Sequence, residues 1–69
     1  MTKNAKKNVE AAERAARTAY VNGDYAKACT AYDLASRMYA VEYRMSGKGN
    51  MLAAANGCAD MARKMKALT

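Results

Sequence analysis

Side chains that could perform catalysis are sparse in this 69-residue chain, and their spacing does not bring them together. There is no histidine, and Cys29 and Cys58 fall at apolar helical positions without an evident activating base, so each is expected to be a buried, inert thiol. The six carboxylates are scattered over predicted helix surfaces or stand at caps: Glu10, Glu13, Asp24, Asp33, Glu42 and Asp60. We therefore expect no enzyme activity, no cofactor and no metal site.

The chain is strongly basic, since 12 Lys and Arg residues against 6 Asp and Glu residues give a formal net charge of +6. This balance favours acidic partners, although it equally suits a surface that only keeps a small protein in solution. The candidate residues for binding nucleic acid or another anion are Lys3, Lys6, Lys7, Arg44 and Lys48. No helix-turn-helix or zinc-finger signature accompanies them, so a nucleic-acid role is the weaker interpretation.

Tyrosine supplies every aromatic ring of the chain. A row of such rings could stack on bases or line a groove for a peptide. Their spacing favours a core role instead, with Tyr and Ala alternating down one helical face and all five rings packing inside a helical hairpin. The five positions are Tyr20, Tyr25, Tyr32, Tyr39 and Tyr43.

Three helices are predicted, over about residues 3–22, 24–46 and 50–68. The absence of proline and the abundance of alanine favour helix throughout. Asn22 and Gly23 suit the end of the first helix, and Asp24 is a natural N-cap for the second. Asn50, which follows a glycine-containing turn, is the predicted N-cap of the third helix. Gly57 inside that helix is expected to mark a close contact between helices.

The short first turn requires the first two helices to lie antiparallel. The pattern therefore predicts an all-α fold, an antiparallel three-helix bundle made of a helical hairpin plus a third helix, as a single domain over residues 1–69 with the second helix in the middle. The initial Met indicates a small complete gene product, a kind that is common in phages. No signal peptide or long apolar segment is visible, so an intracellular, cytoplasmic location with no membrane partner is expected.

The second predicted helix carries two apolar stripes on nearly opposite sides. One is the Tyr and Ala row, and the other advances by 3 or 4 residues from Ala31 to Met45. A helix that is apolar on most of its circumference is either central in its fold or partly covered by a partner. Methionine adapts to varied surfaces, which suggests an interface, although it also fills gaps in cores. The candidate partner-binding residues are Leu34, Met38, Val41, Met45, Met61 and Met65.

The middle of the chain resembles the tetratricopeptide repeat (TPR) at six positions: Ala16, Gly23, Tyr25, Ala28, Tyr32 and Ala35. The early Trp and the closing Pro of that family are absent, and the second helix is about two turns longer than a repeat has. With its third helix the chain is more similar to a microtubule-interacting-and-transport (MIT) domain, a three-helix bundle of similar length. This resemblance, which covers most of the chain, implies binding of short helical peptide motifs in grooves beside the third helix.

These features favour a small protein-interaction module, an adaptor or an inhibitor that binds the helical or acidic surface of a partner protein through an apolar helix face. Two alternatives remain open. One is a small basic protein associated with nucleic acid. The other is a self-associating structural protein, a homodimer formed through the second or third helix, because a chain of this length has a thin core.

Overall fold

The computed structural model describes residues 2–69. Its three helices are α1 (Lys3–Val21), α2 (Tyr25–Ser46) and α3 (Gly49–Ala67). There is no strand in the described part of the chain, and the predicted all-α three-helix bundle is confirmed. Each helix end differs from its predicted position by no more than one residue. None of these helices is long and apolar enough to cross a membrane.

Local hydrogen bonds explain where the first two helices begin and end. Thr2 Oγ1 accepts a hydrogen bond from the backbone N–H of Ala5 at 3.1 Å, and Asp24 Oδ1 accepts one from Lys27 at 3.2 Å. Both satisfy N–H groups that the first turn of a helix leaves free. Gly23 (φ +79°) and Gly47 (φ +70°) adopt the left-handed backbone in which each chain reversal is made. The predicted roles of Asp24 and Gly23 are confirmed.

The start of α3 corrects the prediction for Asn50. The N-cap position is Lys48, which makes no side-chain capping hydrogen bond, so Asn50 already lies inside the helix. The expectation for Gly57 is also wrong, because a Cβ atom built on it would meet nothing within 4 Å. This glycine faces open space and marks no close contact between helices.

The helix α2 lies between α1 and α3 and contacts both, whereas α1 and α3 scarcely touch each other. Two small clusters of buried side chains join the three helices. The first contains Ala16, Ala19, Ala28, Tyr32 and Met65, and the second contains Val9, Ala12, Ala35 and Cys58. The α2–α3 contact is further fixed by the hydroxyl of Ser36, which donates to the carbonyl of Ala55 at 2.9 Å. Each cluster therefore draws buried residues from all three helices, and most of these residues are small.

The resulting fold is flat, with principal extents of 34, 20 and 13 Å. No large side chain within it is fully buried. Its accessible surface is 4724 Å², about a tenth more than the roughly 4,250 Å² expected for a monomer of 7.5 kDa. The chain thus leaves more of its surface accessible to solvent than a protein of its size normally does.

Candidate protein-interaction surface

The second apolar stripe of α2 is open to solvent. Leu34 and Val41 are each 48% exposed, and Met45 is 75% exposed. Their separations of seven and four residues place them on one side of the helix. Neither α1 nor α3 covers this side, so three large apolar side chains stand in a row on the surface.

Beside this row, the first half of α1 and the second half of α2 enclose an apolar cavity of about 200 Å³. Val9 and Ala5 of α1 form one wall, and Met38 and Val41 of α2 form the other. Asn8 and Glu42 complete its rim. Because α1 contributes only small or short side chains here, the cavity has room for a side chain from outside.

A second cavity, of about 420 Å³, lies between the same two helices nearer the hairpin turn, and its walls include Ala11, Arg14, Ala15, Thr18 and Lys27. Both cavities open on one side of the hairpin. On α1, Asn8 of the first cavity and Ala11, Ala15 and Thr18 of the second follow one another at three or four residues. On α2, Leu34 stands seven residues from Lys27 and seven from Val41, and so lies between the cavities. We call these two cavities, together with Leu34 between them, the α1–α2 groove.

The predicted methionines divide between surface and core. Met65 is 3% exposed inside the first cluster, so it is not available to a partner in this conformation. Met61 packs on the same cluster and is partly buried, and Met38 both packs on the second cluster and lines the groove. The six candidate residues therefore form no single surface. Leu34, Met38, Val41 and Met45 are brought together on α2, while the two α3 methionines contribute to the core.

The tyrosines are less buried than expected. Only Tyr32 is buried, whereas Tyr25, Tyr39 and Tyr43 are partly covered. Tyr20 is 44% exposed and its ring lies beside that of Tyr25, with centroids 6.0 Å apart. The prediction that the hairpin buries all five is wrong for Tyr20. Tyr20 belongs to neither core cluster, and α1 and α3 scarcely contact each other.

Tyr39, which packs on the second core cluster, makes a polar contact with α1. The Tyr39 hydroxyl donates a hydrogen bond to the Glu13 carboxylate, and Glu13 also lies 4.0 Å from the Arg17 guanidinium. The hydrogen bond to Glu13, with burial, raises the pKa of Tyr39 from 10.0 to about 12. Burial raises the pKa of the Cys58 thiol most, and the negative charge of Glu13 raises it further. Cys29 and Cys58 belong to different clusters and form no disulfide, and a protonated thiol is a poor nucleophile.

The Tyr39–Glu13 contact predicts a loss of stability at high pH. The folded protein holds the pKa of Tyr39 above its unfolded value, so the contribution is complete below pH 10.0 and disappears as the pH rises towards about 12. We expect the urea midpoint of the wild type to fall more steeply over this window than that of Tyr39→Phe, which cannot ionise here. At neutral pH, Tyr39→Phe should cost about 1 kcal/mol. Parallel midpoints for the two proteins between pH 10 and 12 would contradict this account.

The candidate anion-binding residues are exposed and belong to one end of the fold. Lys3, Lys6 and Lys7 occupy the first turns of α1, Arg44 the last turn of α2, and Lys48 the cap of α3. Because α1 and α2 are antiparallel, these segments meet at the same end. Among the described residues, no three His, Cys, Asp or Glu side chains are close enough together to hold a metal ion.

A third depression, of about 400 Å³, lies between α2 and α3. Its walls include Asp33, Arg63 and Lys66, so it is more polar than the first cavity of the α1–α2 groove.

Comparison of the chain with protein-family models, curated proteins and solved structures gave no match. The geometry of the surface therefore carries the functional argument alone.

Sequence reasoning missed the α1 side of the groove. The helical period separates an apolar face of α1 from a charged face, and the small uncharged residues between them carried no prediction. The available signal was the 3-4-3 spacing of Asn8, Ala11, Ala15 and Thr18, a strip without a long or charged side chain. Such a strip becomes one wall of a groove only because α2 lies alongside with its larger apolar residues.

Proposed function

We propose that this protein is a small interaction module that acts inside the cell as an adaptor or an inhibitor and binds a partner protein through the apolar side of α2. The observation that carries the proposal is the row of exposed Leu34, Val41 and Met45. Among residues 2–69 no large side chain is fully buried, so the core would gain by burying these three, yet they lie outside it. Contiguous apolar surface of this kind typically marks an interaction site.

The excess accessible surface of the chain supports the same reading. Binding at an apolar row flanked by cavities removes water from both partners, and a few large side chains usually dominate the affinity of such interfaces. The resemblance to MIT domains agrees in class, since it implies binding of short helical peptide motifs, but the surface proposed here belongs to α1 and α2 and is not one beside the third helix.

The test is affinity capture from the cell extract with three forms of the chain: wild type, Val41→Asp and Val21→Asp. Val21 is the matched control, because it is 81% exposed at the end of α1 and carries the same substitution away from the groove. We expect Val41→Asp to weaken capture by about 2 kcal/mol, roughly thirtyfold, and Val21→Asp to have little effect. Far-UV circular dichroism must first show that both variants keep their helices.

The same experiment addresses the second candidate function, association with nucleic acid, which the exposed basic end of the fold favours. Treating the extract with nuclease should leave the captured protein in place if the apolar row is the binding surface. Capture that disappears with nuclease, and that Val41→Asp does not change, would assign the function to Lys3, Lys6, Lys7, Arg44 and Lys48 instead. Equal capture by the two valine variants contradicts the proposal in either case.

A further inference from the structure

The α1–α2 groove has the length and shape of a seat for one helix. From Lys27 to Val41 it follows fourteen residues of α2, about 21 Å along the helix axis. It offers two separate cavities with Leu34 between them, the first apolar and the second lined also by Asn22, Asp24 and Lys27. A helix of about four turns could place one large apolar side chain in each cavity and pack small residues over Leu34.

Basic side chains lie along the outer edges of the groove on both sides, while the carboxylates of Glu42 and Asp24 line the first and the second cavity. On α1, Lys7 and Arg14 alternate with the wall residues Ala11 and Thr18 at steps of three and four. On α2, Arg37 and Arg44 alternate in the same way with Leu34 and Val41. Each basic residue therefore lies at the outer edge of its wall.

Among the described residues, three of these four cations are in no salt bridge, although Glu10 stands about one turn from both Lys7 and Arg14 on α1. Arg37 pairs with Asp33 at 3.2 Å, but within residues 2–69 neither Lys7, Arg14 nor Arg44 is in an ion pair. The carboxylate of Asp24, in the second cavity, accepts from the first turn of α2. Unpaired cations on both edges of an apolar groove attract an occupant with acidic flanks.

From this complementarity we infer that the partner segment is an amphipathic helix with an apolar face and acidic residues on both flanks. This inference rests on the proposed function and specifies the chemistry of the partner. A second copy of the chain does not fit as well, because two molecules joined through this groove would bring their basic edges against each other. Like charges facing each other across an interface oppose association.

The test begins with selection from a yeast-displayed library of random peptides about four helical turns long. The wild-type chain is the labelled target. Unlabelled Val41→Asp chain is added in excess, so that it competes for peptides that bind outside the groove and removes them from the selection. We expect the recovered peptides to share apolar residues spaced by three, four and seven positions and to carry acidic flanks. Recovered peptides without that spacing, recovered peptides with neutral or basic flanks, or no recovered peptides would each overturn the inference.

Affinity measurements on the best recovered peptide then separate edge charge from net charge. The double variant Arg14→Glu/Arg44→Glu should weaken binding by on the order of tenfold or more, and added salt should weaken binding to the wild type. The control Lys6→Glu/Lys64→Glu makes the same change in net charge on sides away from the groove and should change affinity by no more than about twofold. Equal weakening by the two double variants would overturn the inference.

The two proposals can fail separately. If Val41→Asp loses the captured cellular protein but the selection yields no acidic helix, the interaction module stands and the helix inference falls. If Val41→Asp keeps the captured protein, the proposed function falls whatever the peptides show. Light scattering on the unliganded chain covers the remaining occupant, since a dimer that Val41→Asp dissociates would assign the groove to a second copy and overturn the helix inference.

Discussion

Tyr32→Ala is expected to unfold a large fraction of the molecules at room temperature. Tyr32 is the one tyrosine inside the core, 8% exposed against Ala16, Ala28 and Met65. Removing a large buried ring costs about 3–5 kcal/mol, while a domain of 69 residues has a total stability of roughly 3–10 kcal/mol. The neighbouring alanines have no side-chain length with which to fill the space.

Urea denaturation followed by far-UV circular dichroism measures this effect. The matched control is Tyr20→Ala, the same change at a ring that is 44% exposed, which should cost less than about 1.5 kcal/mol. If the two variants lose the same stability, Tyr32 is not the ring that holds the three helices together, and the core described above is wrong.

Ala28→Leu is expected to destabilise the chain by the opposite mechanism. Ala28 is 0% exposed in the cluster that joins α2 to both other helices. A leucine there must push a helix outward or adopt a strained rotamer, which typically costs about 1–3 kcal/mol. Because total stability is small, this is a large fraction of it.

The control for this change is Ala26→Leu, the same substitution two residues earlier on the exposed side of α2. Leucine and alanine are both good helix formers, so that variant should remain within about 0.5 kcal/mol of the wild type. The difference between the two urea midpoints therefore isolates packing from helix propensity. Equal urea midpoints for the two variants would mean that α1 and α2 can move apart to make room for the leucine without loss of free energy of unfolding.

Periodicity and caps were enough to predict the helices. The spacing of Val9, Ala12, Ala16 and Ala19 defines the buried face of α1 directly, and the chain reversal at Gly23 and Asp24 follows from their chemistry. These signals are local, since each depends on residues within a few turns of one another. Local rules do not determine how three helices sit together.

Apart from the N-cap assigned to Asn50, the errors concern what lies next to a helical face. Tyr20 follows buried Ala19 and Ala16 on α1, but its ring lies outside both core clusters and is 44% exposed. Met65 and Met45 both fit the pattern of an apolar stripe, yet one is in the core and the other is 75% exposed. Angular position gives the direction of a side chain and says nothing of its neighbours. The groove itself exists only after two helices have been placed side by side.

The thin, alanine-rich core links the lifetime of this protein to its partner. A ligand that binds only the folded state adds stability in proportion to the logarithm of its concentration, about 2.7 kcal/mol at one hundred times its dissociation constant. For a chain whose net stability is a few kcal/mol, that addition would be comparable to the whole of its net stability. Under the proposed function, copies without a partner would open more often and be degraded first, so the cellular amount of this protein would follow the amount of its partner.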